Sequence, residues 1–283
     1  MLRKPPWLKV PAFSGEQFRR VETLLRQFHL NTVCQAANCP NRGECFARGT
    51  ATFLILGPLC TRGCTFCNIE TGQPSLPDPD EPSRLAMVAA RLQLKHVVVT
   101  SVTRDDLPDG GAGQFAAVVA AIRHTLPDAT VEILTPDFRD ATDAALRAIA
   151  AAPPDIFNHN IETVPQLYPV VRPGADYRRS LELLRRVKSQ TGLTTKSGLM
   201  VGLGEKPSQL HEVFCDLADV GVSILTIGQY LAPSPDHHPV KRFLSPEEMA
   251  SLGGDARTRG IAHVVSAPLV RSSYRAEQFV RRS

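Results

Sequence analysis

Cys60-Thr-Arg-Gly-Cys64-Thr-Phe-Cys67 follows directly on Thr52-Phe-Leu-Ile-Leu56, a short apolar run of strand character ended by Gly57-Pro58. Three thiols spaced C-x3-C-x2-C sit at the end of a buried strand. Iron–sulfur clusters are held by cysteine thiolates, usually four of them. Three on one tight loop can hold three irons of a cubane and leave the fourth iron without a protein ligand. The competing reading is structural zinc, which takes a closed set of four ligands, usually in spaced pairs, and would have to borrow one here. A second triple, Cys34-x4-Cys39-x5-Cys45, lies just upstream. Its spacing is also unlike a zinc finger's, and a zinc site built from one triple leaves the other thiols unexplained. Cys215, the seventh cysteine, sits in an apolar helical pattern with Val213, Phe214 and Leu217 and reads as a buried core thiol.

From residue 52 the chain alternates strands and helices. Strands are expected at 52–56, 96–101, 130–135, 155–162, 195–201 and 223–228, with a possible last one at 262–266. Helices are expected near 81–93, 111–125, 139–150, 176–190, 207–219 and 246–259. An amphipathic helix precedes them over 16–30, with Ser14 as its N-cap. Repeats of about 30 residues argue for βαβ units and a parallel sheet. The expected fold class is α/β, a partial (β/α)6 parallel barrel with N-terminal and C-terminal extensions. The divisions are 1–47, carrying the second triple, 48–260, the core, and 261–283, a C-terminal extension. In parallel barrels chemistry sits at the C-terminal strand ends. That places the Cys60–Cys67 loop there, together with Thr100, Ser101, Asn158, Asn160, Glu162, Lys196 and Gln229. Internal hydrogen bonding is the alternative for each of these polar residues.

The chain has 283 residues, 43% of them hydrophobic and 21% charged, which suits a large folded domain rather than disorder. A net charge of +4 is too small to argue for nucleic acid. No run of about 18 apolar residues exists, so no membrane span is expected. The N-terminus is basic but lacks a signal peptide's apolar stretch. Cysteines grouped for metal suit a reducing compartment, and the cytoplasm is the expected location. His237-His238 lies among Pro233, Pro235 and Pro239 and reads as a surface pair in a loop. The basic tail (Arg271, Arg275, Arg281 and Arg282 against Glu277) is either a solvated end or a contact for an acidic surface.

The first triple and Gly198-Leu-Met-Val-Gly202-Leu-Gly-Glu205 resemble the radical S-adenosylmethionine (SAM) superfamily. Six further stretches resemble the lipoyl synthase family within it. They are Cys34 to Cys45, with Cys39-Pro-Asn-Arg-Gly-Glu-Cys45; Thr100-Ser-Val-Thr-Arg-Asp-Asp-Leu-Pro-Asp-Gly-Gly111; Asn158-His-Asn-Ile-Glu-Thr163; Val171-Arg-Pro-Gly-Ala-Asp-Tyr177; Leu225-Thr-Ile-Gly-Gln-Tyr230; and Arg271-Ser-Ser-Tyr274. The resemblance runs from about Lys4 to Tyr274. One departure is Gln35-Ala36-Ala37, where the family often has Glu-Ala.

What the resemblance implies is specific. Cys60, Cys64 and Cys67 would bind a [4Fe–4S] cluster whose open iron chelates SAM. Reductive cleavage of SAM would yield a 5′-deoxyadenosyl radical, chemistry that a cofactor carries and no side chain can. Cys34, Cys39 and Cys45 would bind an auxiliary [4Fe–4S] cluster, completed by Ser273, with Ser272 as its rival by adjacency. The auxiliary cluster would donate the sulfur. Two sulfurs would enter at C6 and C8 of an octanoyl chain on a lysine of a lipoyl carrier domain, either a 2-oxoacid dehydrogenase E2 component or a glycine cleavage H protein. Thr100 and Ser101 would meet the SAM amino group through the main chain. Asn158, Asn160 and Glu162 would meet its ribose or carboxylate, and Lys196 its carboxylate. A low-potential donor such as ferredoxin or flavodoxin would supply electrons. The alternatives are another two-cluster radical SAM enzyme, such as a methylthiotransferase or a biotin-synthase-like sulfur inserter, and a non-catalytic metal-cluster module.

Overall fold

The computed structural model describes residues 3–10, 13–274 and 276. They form two compact units. The first is built from Val10–Arg62 and Asn68–Ile156; the second from Gly63–Cys67 and Phe157–Tyr274, with the described residues before Val10.

The first unit opens with α1 (Glu16–Gln27), β1 (Asn31–Thr32), α2 (Val33–Ala36) and α3 (Arg42–Ala47). β2 (Thr52–Ile55), β3 (Leu59–Cys60) and β4 (Glu70–Thr71) come next. Then α4 (Glu81–Arg91), β5 (His96–Ser101), α5 (Ala112–Thr125), β6 (Thr130–Leu134) and α6 (Thr142–Ala151) lead into β7 (Ile156–Asn158). α1 buries Val21, Leu24 and Leu25, three and four residues apart, as an amphipathic helix should. Its N-cap is Gly15 at φ 141°, without a side-chain cap, so Ser14 does not serve. The strands stand in the order β1-β2-β5-β6. β2, β5 and β6 run parallel, with Thr52 opposite Val98 and His96 opposite Thr130. β1 is antiparallel to β2, a two-residue pairing too short to leave a periodic signal. All four residues of β2 are buried, so both of its faces are covered.

β2 ends in a sharp redirection. Leu56 is left-handed at φ 68°, which costs a non-glycine residue about 1–2 kcal/mol. Its N–H donates to Glu81 Oε2 at 3.1 Å, and its carbonyl accepts from the buried Arg104 at 3.4 Å. With Gly57, also left-handed, this turn sends the chain into β3 and so to Cys60.

The second unit contains α7 (Tyr168–Val171), α8 (Tyr177–Thr191), β8 (Thr194–Val201), α9 (Pro207–Asp219), β9 (Ile224–Gln229), α10 (Pro246–Thr258) and β10 (His263–Ala267). Its strand order is β7-β8-β9-β10. β8, β9 and β10 are parallel, with Lys196 opposite Ile224 and Ile224 opposite His263. Local signals set the helix ends. The Asp176 carboxylate accepts from Arg179 N at 2.7 Å, left-handed Gly192 closes α8, and Ser245 and Glu248 form a capping box on α10.

β7 is shorter than the expected 155–162. Arg172 Nη1 takes the carbonyls of Asn160 at 3.1 Å and Ile161 at 3.3 Å, while Ile161 N donates to Ser197 Oγ at 3.1 Å. The strand ladder therefore breaks, and resumes only as a single bridge from Glu162 to Leu199.

Gln229, at the end of β9, is fully buried and saturated by backbone. Its Nε2 lies within 3.1 Å of the carbonyls of Val201, Tyr230 and Arg242, and its Oε1 accepts from Leu244 N at 2.8 Å. It is a structural bolt. Gln229→Ala orphans several buried backbone groups and should cost about 3 kcal/mol, read as a lower urea midpoint at an unchanged slope.

Candidate functional site

Cys60 closes β3. Its Sγ accepts from Arg62 N at 3.4 Å and Thr103 N at 3.3 Å. Thr61 donates its N–H and hydroxyl to Thr103 O, at 3.1 and 3.0 Å, and its Oγ1 accepts from Asp105 N at 3.1 Å. The loop's arginine is the surprise. Arg62 has only 6% of its side chain exposed, and it meets Asp105 with two hydrogen bonds of 2.6 and 2.7 Å. Its Nη2 also donates to Asp137 Oδ1 at 2.7 Å. Arg139 stands 3.5 Å from Asp105, making a cluster of two cations and two anions. Burial works against the Arg62 charge, but the hydrogen bonds to Asp105 and Asp137 outweigh it and hold the guanidinium more firmly protonated than usual. Arg62, Asp105 and Asp137 carry no metal-ligand or catalytic signature in sequence. Two of them did lie inside quoted motifs.

The rest of that loop belongs to the second unit. Cys67 N donates to Cys64 O at 3.1 Å, and Thr65 N to Val171 O at 3.0 Å. Phe66 packs against Val171, Leu203 and Tyr230. The two histidines are not the expected surface pair. His237 Nε2 donates to Cys67 O at 3.2 Å, and His238 Nε2 to Leu203 O at 2.8 Å. A carbonyl only accepts, so both rings carry a proton on Nε2. His237 Nδ1 and Ser234 Oγ are hydrogen-bonded at 2.8 Å. The His237 ring and the His238 main-chain amide, which donates to Thr65 O at 2.9 Å, hold the backbone of Cys64–Cys67.

The second triple folds locally in the first unit. Cys34 lies in α2, Cys45 in α3, and Cys39 N reaches back to Cys34 O at 3.1 Å. Thr32 Oγ1 caps α2 by accepting from Gln35 N at 3.3 Å. Thr50 fixes Cys45 O through its N–H at 2.9 Å and its hydroxyl at 3.1 Å. Burial first, then the negative charge of Cys39, pushes the Cys34 thiol up to about 11. Burial, with Cys34 and Cys39, pushes Cys45 up to about 12. Thiols whose ionisation is opposed by burial and by neighbouring thiols would be relieved by a bound cation. Binding metal there must expel their protons. Among the described residues no three His, Cys, Asp or Glu side chains are gathered around a single-ion position. A cubane does not require that, because each thiolate binds a different iron.

The polar strand ends divide by what they already hold. Thr100 Oγ1 donates to Leu134 O at 3.0 Å, whereas the buried Ser101 Oγ has no hydrogen-bond partner among the described residues. Asn158 and Lys196 are fully buried in the second unit. Glu162 is left-handed at φ 65°. Burial pushes its carboxyl up, against the opposite pull of Arg172, Asn160 and Arg271. Ser272 and Ser273 lie in a turn closed by Tyr274 N on Arg271 O at 2.9 Å. Glu205 fills the glycine-rich turn, its carboxylate accepting from Gly202, Leu203 and Gly204 N at 2.6, 2.9 and 3.0 Å. Cys215 is exposed, not buried. α9 buries Leu210, Val213, Phe214 and Leu217, and Cys215 falls on the opposite face. Arg275, Glu277, Arg281 and Arg282 of the basic tail lie outside the described residues, while Arg271 donates to Val270 O at 2.6 Å.

Parallel βα units that carry a three-cysteine loop behind the first buried strand define a radical SAM protein, and the model of the Radical SAM superfamily matches residues 54–217. HydG, a maturase of the [FeFe]-hydrogenase, shares the fold at TM-score 0.59 and 14% identity, over 88% of this chain and 67% of that one. Lipoyl synthase of Methylococcus capsulatus (strain Bath) is 57% identical over 278 residues, 98% of this chain and 86% of that protein. Lipoyl synthase of Nitratidesulfovibrio vulgaris (strain Hildenborough) is 58% identical over 276 residues, 98% of this chain and 92% of that protein. The chain belongs to the lipoyl synthase family. Its fold class is α/β of radical SAM type, and the family's cofactors are SAM and two [4Fe–4S] clusters. Among the described residues no helix is long and apolar enough to cross a membrane.

Asp137→Ala leaves a buried guanidinium without one of its two anions. The expected loss is about 3–5 kcal/mol, measured by urea unfolding of the metal-free protein. A change under about 0.5 kcal/mol would show that the cluster does not support the loop.

Proposed function

We propose that this chain inserts two sulfur atoms, at C6 and C8, into an octanoyl group amide-linked to a lysine of a lipoyl carrier domain. The observation that carries this is the pair of cysteine triples, each one thiolate short of a cubane's four. Cys60, Cys64 and Cys67 would hold one cluster, the one that works with SAM. Cys34, Cys39, Cys45 and Ser273 hold the auxiliary cluster. When bound, the first cluster with SAM supplies the radical that removes hydrogen from unactivated carbon, and the auxiliary cluster supplies sulfur.

The chain's own residues bind and orient. The amides of Arg62 and Thr103 stabilise negative charge on Cys60 Sγ. The Arg62 cluster keeps the loop's first half fixed, and the histidine clamp and Phe66 fix its second half. Thr100 and Ser101 receive the SAM amino group through the main chain, and Ser101 Oγ is a buried atom awaiting a partner. Asn158 and Glu162 take its ribose or carboxylate, and Lys196 its carboxylate. Ser273 offers a hard oxygen, a weaker match to iron–sulfur chemistry than thiolate. A weak fourth ligand suits a cluster that must open to release sulfur.

The carrier is an E2 component or a glycine cleavage H protein, and the reductant a ferredoxin or flavodoxin. Thiolates kept reduced for clusters suit a reducing compartment, the cytoplasm in this reading. Residues 1–47 carry the auxiliary cysteines and residues 261–283 carry Ser273, as extensions of the 48–260 core.

Anaerobically reconstituted protein should hold about eight irons per chain. Cys34→Ala should hold about four, still cleave SAM, and make no thiolated product from an octanoylated carrier domain. A wild-type count near four would sink the second-cluster assignment. Two loaded clusters with no thiolated product, given SAM and reductant, would sink the function.

A further inference from the structure

Asn160 follows β7 and groups in sequence with the SAM-facing strand ends; its buried Oδ1 has no hydrogen-bond partner among the described residues, while its amide nitrogen is engaged within the protein. Nδ2 donates to Glu162 Oε1 at 3.0 Å and to Ser272 Oγ at 3.1 Å. An amide nitrogen carries two hydrogens, so both donors are occupied. The backbone that bears Asn160 is itself pinned by Arg172 and Ser197. Two glycines open the space. A Cβ on Gly198 would stand 2.7 Å from Asn160 Oδ1, and one on Gly228 would collide with the Val270 carbonyl. β8 and β9 are thus cut away where Asn160 and the C-terminal segment approach. Ser272 is the residue before Ser273, in the turn closed by Tyr274 on Arg271.

We propose that Asn160 is a positioning residue for the auxiliary cluster: held between Glu162 and Ser272, its amide anchors the Arg271–Tyr274 turn and so orients Ser273 as the cluster's oxygen ligand. Ser272 is the anchored hydroxyl, and Ser273 is the ligating one. Asn160 contacts neither iron nor substrate in this assignment. It acts through its neighbour, as outer-shell partners of metal ligands do. The inference rests on the proposed function's placing of Ser273 on the auxiliary cluster.

The test is iron release to a chelator from the reconstituted two-cluster protein, with Mössbauer spectroscopy counting the two clusters separately. Asn160→Ala should speed auxiliary iron release by about 10-fold, the usual scale for losing an outer-shell partner. Ser272→Ala should do the same, which guards against an Asn160 variant that merely folds poorly. The double variant should be no faster than either single one, because both break the same tether. Additive effects, or auxiliary iron release unchanged in Asn160→Ala, would overturn the assignment. So would a loss of SAM affinity in Asn160→Ala with auxiliary iron release unchanged. Ser273→Ala is the control for the reading beneath it. If it leaves iron release unchanged, serine ligation itself fails and the proposal falls with it. If it accelerates release while Asn160→Ala does not, the role of Asn160 alone fails.

Discussion

The Arg62 guanidinium, buried between Asp105 and Asp137, is the interaction on which the cysteine loop's first half depends. Burying a guanidinium and a carboxylate costs several kcal/mol per ion, recovered only by close, well-aligned partners. Here the partners are bidentate Asp105, a fully buried Asp137 and a nearby Arg139. The residues after β5 and β6 are thereby tied to the middle of the C-x3-C segment. Cys60 keeps two amides on its sulfur because Arg62 and Thr103 cannot move away. A loop proposed to hold a cluster with three thiolates gains rigidity from this charge cluster.

The alternation of strands and helices could be read from the sequence because local signals agreed with the tertiary result. Asp176, Gly192 and the Ser245–Glu248 box each mark a helix end where one was expected. Places where tertiary contacts overrule the local pattern could not be read. β7 ends at Asn158, and Arg172, beyond the strand and just after α7, takes the carbonyls of Asn160 and Ile161. Cys215 sits beside core residues in sequence, yet a 100° step per residue turns it to solvent. β1 and α2 are too short to show a period, although they seat Cys34.

The site divides along the same line. The six cysteines could be proposed as ligands from the sequence because metal-ligand spacing is a one-dimensional signal. Arg62, Asp105 and Asp137 were not, since they act through a three-dimensional ion cluster. Gln229 belongs to the structure, its four backbone contacts leaving no polar atom for a ligand. His237 and His238 brace the loop rather than face solvent, because their donors are claimed by carbonyls around Cys67 and Leu203.

The two triples thus share a deficit and differ in surroundings. The Cys60 loop is held by charge, amides and packed rings. In the second triple, burial together with neighbouring thiols pushes Cys34 and Cys45 up, a shift that metal binding would relieve. The central claim is that the second cluster is consumed. It is tested most directly by assembling both clusters from isotopically heavy sulfide and running a single turnover on an octanoylated carrier domain, followed by mass spectrometry of the product. The account predicts a lipoyl group carrying two heavy sulfurs, with the auxiliary cluster gone and the Cys60–Cys67 cluster intact. A product with light sulfur from solution, and an auxiliary cluster still whole, would contradict it.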